Sequence, residues 1–239
     1  GSLTKMLRAF DIARENRLPL VHLVESAGAD LLDYQVEGFV HGGEIFARHA
    51  HMSAMGLPIV TVLHGSSTAG GAYMPGLSDV VVAVERGRAF LAGPPLVQAA
   101  TGEIADAEQL GGAKMHATQT GLVEYLAKDD AHALDLARQV VRRLDSSQKA
   151  SEAKSYPEPL YSIDDIMGLV PVDYRQPYEV REVIARLVDG SDFLDFKASY
   201  GVGTVCVEAE IFGISVGMIA NNGPIDSQGA TKATHFIQH

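Results

Sequence analysis

The sequence predicts an α/β protein whose first half is built around a parallel sheet, and three features carry that expectation. Strand-like and helix-like segments alternate through the first 145 residues, an order that requires crossovers and hence parallel pairing. The apolar runs Leu57-Pro58-Ile59-Val60-Thr61-Val62-Leu63 and Val80-Val81-Val82-Ala83-Val84 lack the alternation of a half-exposed strand, so their sheet is covered on both faces. With 239 residues and 46% hydrophobic content, the chain can bury a sizeable core.

The elements follow in order. From Leu3 to Asn16, the residues Met6, Leu7, Phe10, Ile12 and Ala13 mark an apolar helical face, which Pro19 ends. A strand over Leu20 to Val24 runs on into the small residues Ala27-Gly28-Ala29, and a loop carrying Asp30 and Asp33 follows. A helix is expected from about Gly42 to Met55, then strands at Pro58 to Leu63 and Val80 to Val84, with a shorter one at Ala89-Phe90-Leu91-Ala92. Ala133, Leu134, Leu136, Ala137, Val140, Val141 and Leu144 fall at helical spacing behind Asp129 or Asp130 as cap.

Beyond that helix the polar stretch Ser146 to Lys154 and the nearby Pro157 and Pro159 mark a linker. The expected organisation is a first domain over 1–145, a linker over 146–177, and the start of a second domain over 178–239. In that last part a helix is expected at Tyr178 to Leu187, with strands at Thr204 to Ile211 and Ser215 to Ala220 joined by the turn Phe212-Gly213. The ending at Gln238-His239 falls inside a further helical pattern and reads as unfinished.

Thirty acidic against nineteen basic residues give a net charge of −11, and no basic run exceeds Arg142-Arg143, so nucleic acid and anionic membrane are poor partners. No apolar run reaches the length of a membrane span and no signal sequence opens the chain, which points to the cytoplasm, or to the mitochondrial matrix in a eukaryote. The single cysteine, Cys206, lies in the apolar run Thr204-Val205-Cys206-Val207 and reads as a core residue in a reducing compartment.

The chemistry is concentrated where the buried strand breaks into Ser67-Thr68-Ala69-Gly70-Gly71-Ala72-Tyr73-Met74-Pro75-Gly76. Small residues at a helix start leave backbone amides exposed with no side chain to block a ligand. A glycine pair at a strand end also arises from close backbone packing alone. The second small-residue strand end, Ala27-Gly28-Ala29-Asp30, favours function, because two such ends in one sheet can aim two amides at one thioester oxygen. The chemistry suggested is stabilisation of an enolate. A phosphate loop is excluded because no Gly-Lys-Ser/Thr follows the glycines, and a hydrolase elbow because no Gly-x-Ser-x-Gly is present.

Several short motifs then point to one family. Glu15-Asn16-Arg17-Leu18-Pro19, Thr68-Ala69-Gly70-Gly71-Ala72-Tyr73, Phe90-Leu91-Ala92-Gly93-Pro94-Pro95-Leu96-Val97, Ala100-Thr101-Gly102-Glu103, Leu110-Gly111-Gly112-Ala113, Asp129-Asp130, Tyr178 to Ile184 and Asn221-Asn222-Gly223 together resemble the carboxyltransferase (beta) subunits of biotin-dependent acyl-CoA carboxylases. The similarity is greatest to the methylcrotonyl-CoA and geranyl-CoA carboxylase branch and covers residues 3 to 239.

The resemblance implies a crotonase-like ββα spiral for the first domain and the start of a second crotonase-like domain after the linker. It implies acyl-CoA as substrate, with biotin as cofactor, carried as carboxybiotin on a partner biotin carboxylase/biotin carrier subunit, and a homo-oligomer as the assembly. The activity implied is transfer of a carboxyl group from carboxybiotin to the α or γ (vinylogous) carbon of a short or branched acyl-CoA, through an enolate held by backbone amides.

Residue reading and resemblance agree on Gly70, Gly71 and Ala72 as the catalytic amides, opposed by Gly28 and Ala29. Substrate-binding residues are expected at Ala27, Thr68, Ala69, Tyr73, Phe90, Leu91, Ala92, Gly93 and Pro94. Tyr73 takes the position where crotonase hydratases place a glutamate, which argues against a hydratase. The alternatives are a biotin-dependent acyl-CoA decarboxylase, which shares the site, a crotonase-type hydratase or isomerase, and a non-catalytic assembly subunit.

No metal site is expected, since His49 and His51 point away from each other on one helix and His41 adds no firm ligand. His22, inside a strand, reads as a satisfied core histidine. Lys114 in Ala113-Lys114-Met115 lacks the methionine that precedes a biotinylated lysine and reads as solvated. Relative to the family, the loop Asp30 to Gly38 is short and lacks a Pro-Asp-Arg run, and an N-terminal portion and a second oxyanion segment are absent.

Overall fold

A computed structural model describes residues 2–28, 35–144, 155–173 and 175–239, which fall into two compact units, 1–141 and 142–239. In the first unit the strands are β1 (Leu20–Ser26), β2 (Ile59–Thr68), β3 (Val80–Val84), β4 (Arg88–Phe90) and β5 (Tyr125–Ala127). They form one sheet in the order β1-β2-β3-β5, with β4 on the end of β2, and every pairing is parallel, as the alternating order requires. β3 is fully buried along its length, in keeping with its unbroken apolar run.

The helices of this unit are α1 (Ser2–Glu15), α2 (Val36–Gly42), α3 (Glu44–Ala54), α4 (Tyr73–Gly76), α5 (Pro94–Thr101), α6 (Ala107–Gly111) and α7 (Ala113–Met115); α8 (Asp130–Leu144) reaches its boundary. α1 buries Leu7, Phe10 and Ala13 against Ile45 and Met52 of α3 and against Leu57 and Ile59. Ile12, expected on that face, is exposed because it lies about 200° round the helix from Phe10. The helix expected from Gly42 is α3, with α2 directly before it across Gly43. Of the expected loop Asp30 to Gly38, residues 30–34 lie outside the described residues, and Val36 to Gly38 are helical. The strand expected to reach Ala92 ends at Phe90, because Gly93 and Pro94 start α5.

Buried ladder ends are completed by carboxylates. Asp79 Oδ2 accepts from the Ile59 amide at 2.7 Å, and Glu124 Oε2 accepts from the Val81 amide at 2.6 Å.

His22 is half-buried rather than a satisfied core residue: its ring meets Phe10 at 5.2 Å and the fully buried His49 at 5.0 Å. Burial first, and the neighbouring His49 second, depress the His22 pKa to about 4; burial also lowers that of His49, whose Nε2 has no partner among the described residues. Both histidines are therefore neutral in the folded state. A base with a depressed folded pKa contributes its full stability above the unfolded value of 6.5 and loses it as the pH falls towards 4. Wild type is expected to lose about 3 kcal/mol from His22 alone over that interval. His22→Phe should flatten the loss, as read from urea midpoints between pH 7 and pH 4.

In the second unit, α9 (Ile166–Leu169) and α10 (Val180–Ile184) precede β6 (Phe193–Phe196), β7 (Thr204–Ile211) and β8 (Ile214–Asn221), and α11 (Ser227–Gln238) follows. The helix expected over Tyr178 to Leu187 is the shorter α10, while β7 has the expected bounds and β8 extends one residue further at each end. The sheet is antiparallel in the order β6-β7-β8. One face packs Val205, Val207 and Ala209 on Val180, Ile184 and Val188. Phe212 and Gly213 turn the hairpin with φ of 53° and 72°, and both their amides donate to the Asp189 carboxylate, at 2.9 and 2.7 Å. Cys206 is buried, and burial raises its thiol pKa, which makes it unreactive. Of the stretch expected as a linker, residues 146–154 lie outside the described residues; from 155 on it belongs to this unit and contains α9. No helix among the described residues is long and apolar enough to cross a membrane.

Candidate active site

Three strand ends meet on one edge of the first sheet because β2 changes partner along its length. Its Val60–Leu63 stretch pairs with β3, whereas Ser66–Thr68 pair with Arg88–Phe90 of β4. On the other side β1 stays alongside from Leu20↔Ile59 to Ser26↔Ser67. Since all run parallel, the turns after β1, β2 and β4 open on the same carboxyl edge, where parallel sheets present backbone to ligands. Between the pairs Val24↔Leu63 and Ser26↔Ser67 the chain takes two steps on β1 and four on β2. This bulge sets Ser26 and Ser67 side by side.

After Thr68, still extended, the chain enters a 3-10 turn over Ala69–Ala72 that leads into α4. Ala69 makes the bend with φ of 51°, a left-handed conformation that costs an alanine about 1–2 kcal/mol. No side chain caps the turn: the Thr68 hydroxyl instead donates to Ser26 O at 3.3 Å. The first amides of such a turn have no partner inside it, which leaves them for an outside acceptor. Gly70 is exposed, Gly71 buried and Ala72 half-buried.

The opposing turn lies in van der Waals range. Gly28 has φ of 87°, and a Cβ placed on it would stand 3.4 Å from Ala69 Cβ and 3.5 Å from Thr68 Oγ1. Ala27 is exposed beside it, and Ala29 lies outside the described residues. The Gly28 amide already donates to Ser26 Oγ at 3.2 Å, so one of the two expected donors is engaged within the protein. Gly71 is also a packing glycine: a Cβ there would come within 2.8 Å of Ser26 Cβ and 2.9 Å of Ser26 Oγ and Ser67 Oγ. The two readings weighed for this position are thus both physical, since the close approach of the turn to the serines is what fixes where its amides point.

The third turn begins at Phe90, which pairs with Thr68. Leu91 is exposed, Ala92, Gly93 and Pro94 are half-buried, and the Phe90 ring lies over Gly93. The residues nearest Gly28, Gly70 and Gly71 are Thr68, Ala69, Phe46, Ser26 and Ser67, none of them charged.

Four side chains of this site carried no signal in the sequence beyond their place in a strand or helix. Ser26 and Ser67 line the floor beneath Gly71. Phe46 of α3 reaches to 3.6 Å from a Cβ position on Gly70, with its ring 5.1 Å from that of the exposed Tyr73. His116, at the start of a π-helical turn over His116–Thr120, places Nε2 2.8 Å from Ala89 O and Nδ1 2.9 Å from Thr120 Oγ1. The carbonyl can only accept, so Nε2 carries the proton, and the bond ties β4 to the π-helical turn. A π-turn offered no sequence pattern by which to find it.

The carboxyl transferase domain model matches residues 1–239. The chain belongs to the carboxyl transferase domain family. It is 45% identical over 242 residues to the biotin-dependent 3-methylcrotonyl-coenzyme A carboxylase beta1 subunit of Mycobacterium tuberculosis, a match covering 99% of this chain and 46% of that one. It is 53% identical to the geranyl-CoA carboxylase beta subunit of P. aeruginosa, with a TM-score of 0.56 over 99% of this chain and 45% of that one. It is 28% identical to transcarboxylase 12S, solved as a hexamer with methylmalonyl-coenzyme A bound, with a TM-score of 0.88 over 98% of this chain and 47% of that one. This carboxyl transferase chain shares the crotonase-like fold of these neighbours, and the motif resemblance to the methylcrotonyl-CoA and geranyl-CoA branch holds. It spans 41% to 46% of the length of five curated relatives that it matches.

Proposed function

We propose that this chain is the acyl-CoA-holding part of a carboxyltransferase subunit of a biotin-dependent acyl-CoA carboxylase, acting on the α or γ carbon of a short or branched acyl-CoA. The observation that carries the reading is the juxtaposition of the Gly28 turn with the Ala69–Ala72 turn at the ends of two paired parallel strands. In this reading the thioester oxygen sits between them, accepting from the amides of Gly70 and Gly71 on one side and of Gly28 or Ala29 on the other. Removing the α or γ proton sends charge to that oxygen, so donors fixed there in advance lower the barrier, by about 2.7–4 kcal/mol per donor. Ala27, Thr68, Ala69 and the Phe90–Pro94 turn flank the pantetheine arm, while Phe46 and Tyr73 stand on the Gly70 side.

Carboxybiotin, carried by a biotin carboxylase/biotin carrier partner, supplies the carboxyl group. The antiparallel sheet of the second unit has no pair of parallel strand ends closed by small-residue turns among the described residues, so no residue of this chain is assigned to biotin. We place the chain in a homo-oligomer in the compartment that holds its biotinylated partner, the cytoplasm or a mitochondrial matrix, and assign 178–239 to the start of a second crotonase-like domain.

The reading is tested by combining the complete carboxyltransferase subunit that carries this chain with a biotin carboxylase/carrier subunit and following fixation of labelled bicarbonate into 3-methylcrotonyl-, geranyl- and propionyl-CoA. Acyl-CoA-dependent fixation supports it. No fixation into any of the three, with the partner fully biotinylated, sinks it.

A further inference from the structure

Two features of the site remain unexplained by the reading above. The Gly28 amide, needed for the ligand, is taken up by Ser26 Oγ at 3.2 Å. The Ser67 hydroxyl, fully buried on the neighbouring strand, has no hydrogen-bond partner among the described residues. Buried hydroxyls are nearly always paired, so an orphan in the floor of a site calls for a reason.

The two serines are direct partners in the ladder, Ser26↔Ser67, and both hydroxyls come within 2.9 Å of the Cβ position on Gly71. Both oxygens lie within 2.9 Å of one point, so they are no more than about 5.8 Å apart, and rotation about the serine χ1 angles changes that separation. A hydroxyl can accept and donate at once, whereas the Gly28 amide has a single proton to give. We infer that Ser26 and Ser67 form a hydroxyl exchange pair beneath the oxyanion turn: when a thioester oxygen takes the Gly28 amide, Ser26 Oγ accepts from Ser67 in its place.

The exchange leaves the number of satisfied groups no lower than before. The amide trades one acceptor for a better, partly anionic one. Ser26 keeps a donor, and the orphan hydroxyl gains its only partner. Without Ser67, ligand binding would leave Ser26 Oγ without its donor in a dry site, a loss that falls on the liganded state alone. The serines are thus positioning residues, acting through the Gly28 amide rather than touching the substrate. This inference rests on the proposed acyl-CoA reading.

The test is calorimetric binding of 3-methylcrotonyl-CoA, with free coenzyme A as a probe that lacks the thioester oxygen, to wild type, Ser26→Ala, Ser67→Ala and the double variant. If wild type prefers 3-methylcrotonyl-CoA to coenzyme A, the acyl-CoA reading stands and the exchange can be judged. Ser67→Ala is then expected to weaken 3-methylcrotonyl-CoA about tenfold and coenzyme A not at all, in line with the loss of one buried hydrogen bond. In the Ser26→Ala background the same substitution should have no further effect, because there is no acceptor left to satisfy. Ser67→Thr, which keeps the hydroxyl, should restore the affinity. Equal weakening of both ligands, or additive losses in the double variant, would mean that the serines only support the turn and would overturn the exchange. A wild type that binds the two ligands equally would instead overturn the acyl-CoA reading itself, and the exchange with it.

Discussion

Gly71→Ala is expected to lower acyl-CoA carboxylation by about a hundredfold or more, while Gly70→Ala on the neighbouring residue lowers it only a few-fold. Both variants keep their backbone N–H, so the contrast does not come from a lost donor. The added methyl at position 71 meets Ser26 Cβ at 2.8 Å and two serine oxygens at 2.9 Å, whereas at position 70 it meets only Phe46 Cζ at 3.6 Å, an ordinary contact. The turn must therefore lift off the serine floor in Gly71→Ala, and its amides leave the line to the thioester oxygen. Displacements near 1 Å are enough for a hundredfold loss where geometry carries the catalysis. Melting curves separate this from unfolding: overpacking at position 71 costs about 1–3 kcal/mol, which leaves a folded population to assay. Equal activity of the two variants would show that the Gly71 turn does not hold the reacting group.

Gly111→Ala is expected to cost about 2–3 kcal/mol of stability, the upper part of the range for a core forced to take one extra methyl. A Cβ at position 111 would overlap the Ala89 carbonyl oxygen and stand 2.8 Å from Phe90 Cδ1. Backbone cannot rotate out of the way, and β4 has only three residues with which to hold its place beside β2. The Ala89 carbonyl is also the acceptor of His116, so the same displacement loosens that tie. Gly102→Ala provides the control: Gly102 has φ of 76° with nothing within 4 Å of its Cβ position, and it pays only the left-handed strain, about 1–2 kcal/mol. Urea midpoints should rank Gly111→Ala below Gly102→Ala. Only the former should also weaken binding of 3-methylcrotonyl-CoA, because β4 carries the Phe90–Pro94 turn.

Much of this was readable from local pattern. The unbroken apolar runs around Ile59 and Val80 announced doubly covered strands, and the small residues after Ser26 and Ser67 announced two open turns. The hairpin around Phe212-Gly213 was equally plain, because a glycine between two strand-like runs marks a two-residue turn. Where sequence and structure part, the cause is shared. Apolar character continues from Ala89 to Ala92, but Leu91 is exposed and the chain has already turned towards Gly93. A strand position fixes only which face His22 occupies, and the covering by Phe10 and His49 leaves it half-exposed.

The sequence by itself determined that two strands would end in residues too small to cover their own amides, because period and side-chain size are local properties. Only the tertiary structure decided that β2 trades β3 for β4 midway and that a bulge brings Ser26 level with Ser67. It alone decided, too, that Phe46 and His116 come to the same edge. Strand partners and register depend on contacts between residues far apart in the chain, and a hydrophobic period names the buried face without naming its neighbour.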